Sequence, residues 1–409
     1  MAQSSIHKID LLYDRNNSDA SATRLLYTAL PEWELEEGEL EIKTFTQGIT
    51  NIMMQAKKSR PGATDAQIEA QSVIVRVFGE GTEKLVDRER ELTNHTIFAD
   101  YGLAPEILAQ FKNGLIYRFT PGKPCQREDL PHKSIYTGIA RTLGQWHAVL
   151  PSKGDRVGDE ASDATGERQT KSDRAAMVES IPSIWAVMRS WGNNIPDSPQ
   201  RKELKRVLLG EVERAEREFG EIRGLDQQKL ILAHCDLLPG NVIILPSSFD
   251  GASPSRGSPS ASARAALIDY ELSCFAPPAF DLALHFSEWP GFELDYSFLP
   301  SQNTRRAFIR AYVESYLEHA SVARKTRVEA DFNSVDLCVE FLMKQVDRLR
   351  GLPGLWWALG IQAHDPDDEK VKEFGKGRLE EWWGIEGGKC EGDRSSLKIR
   401  EREDRWWKE

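Results

Sequence analysis

The chain of 409 residues carries 53 Lys and Arg against 64 Asp and Glu, which gives a formal net charge of −11. This acidic balance argues against nucleic acid and anionic membranes as partners, because both are bound by cationic surfaces. A hydrophobic content of 40% supports a packed core, and at about 150 residues per domain the length predicts two or three units. The sequence has neither the ~18 consecutive apolar residues of a membrane span nor a secretory signal at its start, so we expect a cytoplasmic protein.

The first part of the chain has the pattern of β-strands. The segments LEIKTF, ITNIMMQA and VIVRVF are rich in β-branched residues, and a helical stretch through DRERELTNHTIF follows them. EILAQF and LIYRFT then flank Asn113-Gly114, a dipeptide typical of a tight hairpin. We therefore predict a strand-rich N-terminal unit over residues 1–120.

After this unit the apolar residues recur at helical spacing. Steps of four, four, three and four residues separate Ile135, Ile139, Leu143, Trp146 and Leu150. The pattern predicts a larger, mainly helical unit over residues 121–363. Two stretches within it, 152–175 and 246–263, are rich in Ser, Gly, Pro and Asp and lack apolar periodicity, which indicates exposed loops or insertions.

Residues 364–409 are mostly charged and are assigned to a C-terminal tail. Tryptophans interrupt the charged stretch at Trp382, Trp383, Trp406 and Trp407. We expect part of the tail to dock on the body through them. The sequence after Gln362 lacks an apolar helix start, and it leaves open whether the tail folds and completes a binding site.

A polar motif between two short apolar runs carries the candidate chemistry. In HCDLLPGN, Asp236 precedes Asn241 by five residues, and Asp269 follows the later run ALI. One carboxylate can orient a hydroxyl nucleophile and accept its proton, while an amide oxygen and a second carboxylate hold Mg²⁺ on nucleotide phosphates. The spacing H-x-D-x-x-x-x-N is typical of a kinase catalytic loop. The alternative is that Asp236 and Asn241 are turn residues and that Asp269 ends a strand.

The segments HCDLLPGN, LIDYE and FDLALHFSEWPGFELDY resemble the choline and ethanolamine kinase family. FTQGITN, VIVRVFGEG and LGQWHAVLP extend the resemblance from Thr44 to Gln362. It implies an α+β, protein-kinase-like two-lobe fold, with a small antiparallel-sheet N-lobe and a larger, mainly helical C-lobe. It also implies ATP and Mg²⁺ as cofactors and a small amino alcohol as the substrate, and it leaves a homodimer open.

The same resemblance assigns roles to residues of the motif and of the first strands. Asp236 is implied to be the catalytic base, and Asn241 and Asp269 are implied to be the Mg²⁺ ligands. Gly48 and Asn51 in FTQGITN are implied to bind the nucleotide. Taken alone, a single glycine between two strands is equally typical of an ordinary hairpin turn.

Arg76 in VIVRVF resembles the family's phosphate-binding cation. A guanidinium can grip phosphate oxygens in a bidentate way, and it needs an acidic partner to hold its rotamer. We predict Glu91 as that partner, with Glu89 as the rival, since residues two apart cannot share a helix face. The alternative is that Arg76 forms an ordinary surface ion pair.

Three residues match the family's acceptor site, which must recognise a small ammonium alcohol. Glu288 and Tyr296 lie in SEWPGFELDY, and Trp357 is one of two adjacent tryptophans in GLPGLWWALGIQA. A carboxylate and aromatic faces are the groups that bind an ammonium ion. Asp281 is expected to brace the catalytic loop, and His285 is expected to be a satisfied core histidine.

WPGFELDYSFLP and HCDLLPGN resemble ethanolamine kinases more than choline kinases. The predicted function is therefore ATP-dependent phosphorylation of ethanolamine to phosphoethanolamine, the first step of phosphatidylethanolamine synthesis by the CDP-ethanolamine route. One alternative is a choline or broader amino-alcohol kinase. The other is a catalytically impaired binding protein of the same fold, which the unusual C-terminal part suggests.

Overall fold

The computed structural model describes residues 6–45, 51–79, 87–153, 168–199, 201–246, 263–364, 368–387 and 397–409. The chain divides into two compact units. The first consists of Met1–Glu83 and Leu92–Gly122, and the second of Lys84–Glu91 and Lys123–Glu409.

The first part of the chain alternates short helices with strands of one sheet. In chain order the elements are β1 (His7–Ile9), α1 (Ser18–Ala29), α2 (Pro31–Leu35), β2 (Leu40–Phe45), β3 (Asn51–Lys58), α3 (Asp65–Gln71), β4 (Val73–Phe78), α4 (Arg88–Asp100), β5 (Ile107–Phe111) and β6 (Gly114–Arg118). The sheet order is β1-β5-β6-β4-β3-β2. Every pair is antiparallel except β1 with β5, which is parallel. The predicted strands and hairpin are confirmed, and the sheet is mixed at the β1 edge.

The central strand β4 separates two faces of this sheet. Val73, Val75 and Val77 are buried in one cluster with Leu25 of α1 and Trp33 of α2. Because successive side chains of a strand point to opposite faces, Arg76 lies on the face away from this cluster. The apolar alternation of VIVRVF therefore sets which way the arginine points.

Helix α3 falls where the sequence predicts no element. Thr64 and Gln67 form a capping box at its start, and none of its residues is buried. A helix that buries no apolar face leaves no periodic signal in the sequence, and the capping pair is its only local mark.

The second unit is mainly helical. Its helices are α5 (Lys133–Val149), α6 (Arg168–Ser180), α7 (Ile184–Asn194), α8 (Lys202–Phe219), α9 (Pro278–Glu288), α10 (Gln302–His319), α11 (Val322–Asp331), α12 (Val335–Leu349), α13 (Leu352–His364), α14 (Glu369–Glu386) and α15 (Leu397–Trp406). Its short strands are β7 (Lys123–Pro124), β8 (Ile231–Ala233), β9 (Val242–Ile244), β10 (Ala265–Leu267) and β11 (Cys274–Ala276). They form a β10-β9-β7 sheet and a β11-β8 pair. Among the described residues, none of the helices has the length and apolar character required to cross a bilayer.

The C-terminal helices α14 and α15 dock on the helical unit through two of the four tryptophans. Trp382 and Trp406 are fully buried. The indole N–H of Trp382 donates to Glu211 Oε2 at 2.9 Å, and that of Trp406 donates to Asp347 Oδ1 at 2.8 Å. The expectation that part of the charged segment docks is therefore confirmed.

Candidate active site

The loop that carries Asp236 follows the buried strand β8, and one carboxylate holds its start. Asp281 on α9 accepts the backbone N–H of His234 at 2.7 Å and that of Cys235 at 2.8 Å. His147 on α5 lies 3.1 Å from the same carboxylate. The predicted bracing role of Asp281 is confirmed, since these bonds fix the backbone directly before Asp236.

Two further features shape the loop. Cys235 has φ of 61°, a left-handed backbone conformation that non-glycine residues rarely adopt and that is typical of functional loops. His285 Nδ1 lies 2.9 Å from the carbonyl oxygen of Leu237, to which it donates, and its Nε2 accepts the indole N–H of Trp289 at 3.3 Å. Both ring nitrogens are used, so the prediction of a satisfied core histidine is confirmed.

Asp236 and Asn241 are in direct contact. Asn241 Nδ2 donates to the backbone oxygen and to Oδ2 of Asp236, both at 2.9 Å. Oδ1 of Asp236 is buried and has no hydrogen-bond partner among the described residues. One carboxylate oxygen is thus held in place while the other remains available.

The surroundings of Asp236 are strongly negative. Burial raises the pKa of Asp236 well above its usual value, and the nearby carboxylates of Asp269, Glu288 and Glu271 raise it further. Several carboxylates this close cost free energy unless a cation joins them. The electrostatics of the loop therefore favour a bound cation.

Asp269 follows β10, next to the segment that holds Asn241. The backbone N–H of Ile268 donates to the carbonyl oxygen of Asn241 at 2.9 Å, and Asp269 itself has φ of 69°. Among the described residues, no three His, Cys, Asp or Glu side chains form a cluster that could hold a metal by themselves. An amide oxygen, one or two carboxylates and an excess of negative charge instead fit Mg²⁺, which is usually held together with nucleotide phosphates and water.

Two of the predicted nucleotide-binding residues lie on strands of the first unit, Asn51 on β3 and Arg76 on β4. Arg76 is buried, with 6% of its surface exposed. Burial, with a smaller contribution from the charge of Arg76, lowers the pKa of His95 to about 4. Asn51 Oδ1 accepts the backbone N–H of Gly79 at 3.3 Å, and Gly48 lies outside the described residues.

The two candidate partners of Arg76 differ in their surroundings. Glu91 is buried and accepts a hydrogen bond from Arg88 Nη1 at 2.8 Å. Glu89 is exposed, and its backbone N–H donates to Asp87 Oδ1 at 3.0 Å. The pairing of Arg76 with either residue stays a prediction.

Glu288 ends helix α9 and contacts Trp357 of α13. The indole N–H of Trp357 donates to Glu288 Oε1 at 2.8 Å. Burial raises the pKa of Glu288, whereas the charge of Arg378 and the bond from Trp357 oppose that rise. Two of the three predicted acceptor residues therefore meet at one carboxylate oxygen.

The third acceptor residue, Tyr296, is joined to this pair through residues of α14. Its hydroxyl donates to Glu381 Oε1 at 2.8 Å, and Glu381 Oε2 in turn lies 3.1 Å from Arg378 Nη1. Arg378 then contacts Glu288 at 2.9 Å. The sequence reasoning missed Arg378 because it lies 90 residues from Glu288, in a segment whose charge predicts exposure.

Comparison with known proteins identifies the family. The family model described as choline/ethanolamine kinase matches residues 42–382. The chain belongs to the choline/ethanolamine kinase family. It is 28% identical to the ethanolamine kinase of Drosophila melanogaster, over 70% of this chain and 48% of that protein. It is 24% identical to probable ethanolamine kinase A of Dictyostelium discoideum, over 87% of this chain and 88% of that protein. The aligned part thus spans about half of the fly relative's length.

Solved structures of the same family share the fold. The ethanolamine kinase of Plasmodium vivax is 20% identical, with a TM-score of 0.61 over 91% of this chain and 89% of that one. The choline kinase of Cryptosporidium parvum is 18% identical, with a TM-score of 0.63 over 90% of this chain and 95% of that one. The predicted α+β, protein-kinase-like fold class is confirmed, with the parallel β1–β5 pair as an addition to the antiparallel sheet.

In this member of the choline/ethanolamine kinase family, the predicted site residues of the second unit form two groups. The catalytic-loop group has Asp236 and Asn241 in contact, with Asp269 on the adjoining segment. The acceptor group has Glu288 bonded to Trp357, with Tyr296 linked to them through α14. Glu288 also raises the pKa of Asp236, so the two groups share one electrostatic environment.

Proposed function

We propose that this chain is an ATP-dependent, Mg²⁺-dependent kinase that phosphorylates the hydroxyl of ethanolamine. The observation that carries the proposal is the unpartnered, buried Oδ1 of Asp236, in a loop that Asn241 holds in place and that adjoins the segment bearing Asp269. Membership of the choline/ethanolamine kinase family supports the same reaction.

In the proposed mechanism, Asp236 orients the acceptor hydroxyl through Oδ1 and accepts its proton as the phosphoryl group transfers. Asn241 fixes the rotamer of Asp236 through Oδ2, so the free oxygen keeps one direction. Asn241 and Asp269 would hold Mg²⁺, which supplies positive charge to the nucleotide phosphates. Positioning of this kind accounts for most of the rate enhancement in phosphoryl transfer.

We assign nucleotide binding to four residues between Gly48 and Glu91 on the strength of the family resemblance. Gly48 and Asn51 would offer backbone and amide groups to the phosphates, and Arg76 would neutralise phosphate charge. Glu91 is proposed as the partner that orients Arg76. These roles rest on motif position.

The ammonium group of the acceptor is assigned to Glu288 and Trp357. A carboxylate pairs with the charge, and the face of an indole ring attracts a cation through its quadrupole. Tyr296 is proposed to line the same site with its ring. A primary ammonium donates directed N–H bonds to acceptors such as Glu288, whereas trimethylammonium depends on aromatic faces, so this site favours ethanolamine over choline.

A direct assay tests the proposal. Purified full-length chain is incubated with ATP, Mg²⁺ and either ethanolamine or choline, and with both in competition, and the phosphorylated product is measured by mass spectrometry. We expect turnover of both substrates with a higher kcat/KM for ethanolamine. A preference for choline would overturn the substrate assignment. No turnover of either alcohol would favour the alternative of a catalytically impaired binding protein of this fold.

The biological setting follows from the same proposal. Phosphoethanolamine formed in this way would enter phosphatidylethanolamine synthesis by the CDP-ethanolamine route. The cytoplasmic location and the homodimer suggested at the level of sequence stay predictions.

A further inference from the structure

Helix α14 places a guanidinium on the carboxylate assigned to the acceptor. Arg378 Nη2 lies 2.9 Å from Glu288 Oε1 and 2.8 Å from the carbonyl oxygen of Ser287. The side chain of Arg378 is fully buried, whereas that of Glu288 keeps 7% of its surface exposed. A buried cation therefore already occupies one side of the carboxylate.

The two oxygens of Glu288 differ in their partners. Oε1 accepts from both Trp357 and Arg378, while no described residue donates a hydrogen bond to Oε2. With one oxygen held by two donors, the carboxylate cannot rotate freely. Oε2 is thus the oxygen that remains for a further hydrogen-bond donor.

Arg378 is itself held by a network that continues into the last helix. Glu381 pairs with Arg378 at 3.1 Å and with Arg402 of α15 at 3.5 Å, and it also accepts the hydroxyl of Tyr296. Glu288 and Glu381 are thus matched by Arg378 and Arg402, and Arg402 also pairs with Glu403 at 2.8 Å. Arg402 lies beyond residue 382, where the family match ends.

We propose that Arg378 is a positioning residue of the acceptor site, which keeps the carboxylate of Glu288 ionised and directs its free oxygen to the acceptor's ammonium group. This inference rests on the proposed function, because it needs an ammonium-bearing acceptor at Glu288. It adds a residue of the C-terminal segment to the binding of that acceptor.

The charges around Glu288 explain why the guanidinium is needed. Burial raises the pKa of Glu288 and Glu381 raises it further, while Arg378 is the strongest influence in the other direction and Trp357 adds a smaller one. Arg402 pairs with Glu381 and so offsets part of the negative charge near Glu288. Asp236 is a further negative group nearby, and Glu288 raises the pKa of Asp236. Without Arg378, the buried carboxylate takes up a proton and loses its attraction for an ammonium ion.

Substitution of Arg378 tests the inference. In Arg378→Met we expect KM for ethanolamine at neutral pH to rise at least about tenfold, because the buried carboxylate loses the guanidinium that favours its charged form and holds its Oε1. The value of kcat should stay within about threefold, because the residue acts on binding. Arg378→Lys keeps the charge and should restore much of the affinity. Lys376→Met, an exposed position on the same helix, is the matched control and should keep the parent KM.

The pH profile separates positioning from a general loss of structure. For Arg378→Met, KM should fall more steeply than in the parent protein as the pH rises from about 6.5 to about 8.5, because a larger fraction of Glu288 is protonated at the lower pH, while the amine stays charged as in lysine. A flat profile in the variant would overturn the inference.

A double variant keeps the test decisive if Arg378→Met folds poorly. Glu288→Gln and Glu288→Gln/Arg378→Met should share one KM, because the arginine has no carboxylate left to position. A further rise of tenfold in the double variant would show that Arg378 acts independently and would contradict the inference. If the parent protein does not phosphorylate ethanolamine, the proposed function is refuted. If the parent protein is active and Arg378→Met keeps the parent KM, only the inference about Arg378 is refuted.

Discussion

Asp236 combines features that a purely structural carboxylate does not need. It is buried, with 7% of its surface exposed, and one of its oxygens has no partner among the described residues. Burial and the charges of Asp269, Glu288 and Glu271 raise its pKa. Such a group destabilises the folded protein at neutral pH. Residues that lower stability in this way are found mainly where function requires them.

We therefore expect Asp236→Asn to separate activity from stability. Loss of the carboxylate should lower kcat by about 10² or more. The same change removes a repelled negative charge while keeping an acceptor for Asn241, so Tm should rise, by about 1 °C per kcal/mol gained in a chain of this length. Steady-state kinetics and calorimetry at pH 7 measure the two effects. The exposed Asp404→Asn serves as control, and activity above a few per cent together with a lowered Tm would refute the assignment.

At the scale of single elements, the sequence predicts those whose signal is local. The strand VIVRVF and the helix α5 follow the periodicity of a buried face, and the structure confirms both. The spacing of Asp236 and Asn241 also suffices to bring them together, because both lie in one short loop. Residues close in the chain are therefore well predicted by pattern.

Contacts between distant elements are not encoded in this way. Arg378 and Glu288 meet across 90 residues, and no local pattern of α14 marks an arginine that will be fully buried. The charged composition of α14 and α15 predicts exposure. Their burial depends instead on partners supplied by other helices, such as Glu211 for Trp382 and Asp347 for Trp406.

The two last tryptophans give a matched test of how α15 is attached. Trp406 is fully buried, with Arg305 lying 3.9 Å from its ring centre, whereas Trp407 keeps 48% of its surface exposed. Trp406→Ala should cost about 3–5 kcal/mol through loss of packing. Trp407→Ala should cost less than about 1 kcal/mol, the scale of an exposed contact with Arg350.

Denaturant unfolding of both variants measures this difference, and limited proteolysis reports whether α15 detaches. If the two substitutions cost the same free energy, α15 does not dock through Trp406. If both effects are small, α15 is not firmly docked, and the contact of Arg402 with Glu381 near the acceptor site would lose its basis.

At the scale of the whole molecule, both compact units bury a histidine in its neutral form. Burial lowers the pKa of His95 in the first unit and of His285 in the second to about 4. Hydrogen bonds to the carbonyl oxygens of Pro105 and Leu237 oppose this shift without cancelling it. Each unit therefore contains a group that resists protonation as long as the unit stays folded.

These histidines predict acid destabilisation in a defined range of pH. The unfolded chain binds their protons below about pH 6.5, and the folded chain does so only near pH 4. The contribution of each neutral histidine to the free energy of unfolding is therefore fully present above pH 6.5. It is lost as the pH falls toward 4, by up to about 3 kcal/mol for each histidine at about 1.4 kcal/mol per pKa unit. The carboxylate of Asp281, whose pKa is lowered, titrates below this range.

Tm measured from pH 7.5 to pH 4.5 tests this prediction, and we expect it to fall continuously below about pH 6.5. His95→Gln and His285→Gln should each be less stable than the parent protein at pH 7.5, because a hydrogen bond is altered, but should lose less Tm as the pH falls. The exposed His132→Gln is the control and should follow the parent curve. Parallel curves for the parent and both buried variants would mean that neither of these two histidines couples folding to protons, and the acid limit would then have to arise from other groups, such as the buried His234, whose pKa burial also lowers, or the carboxylates.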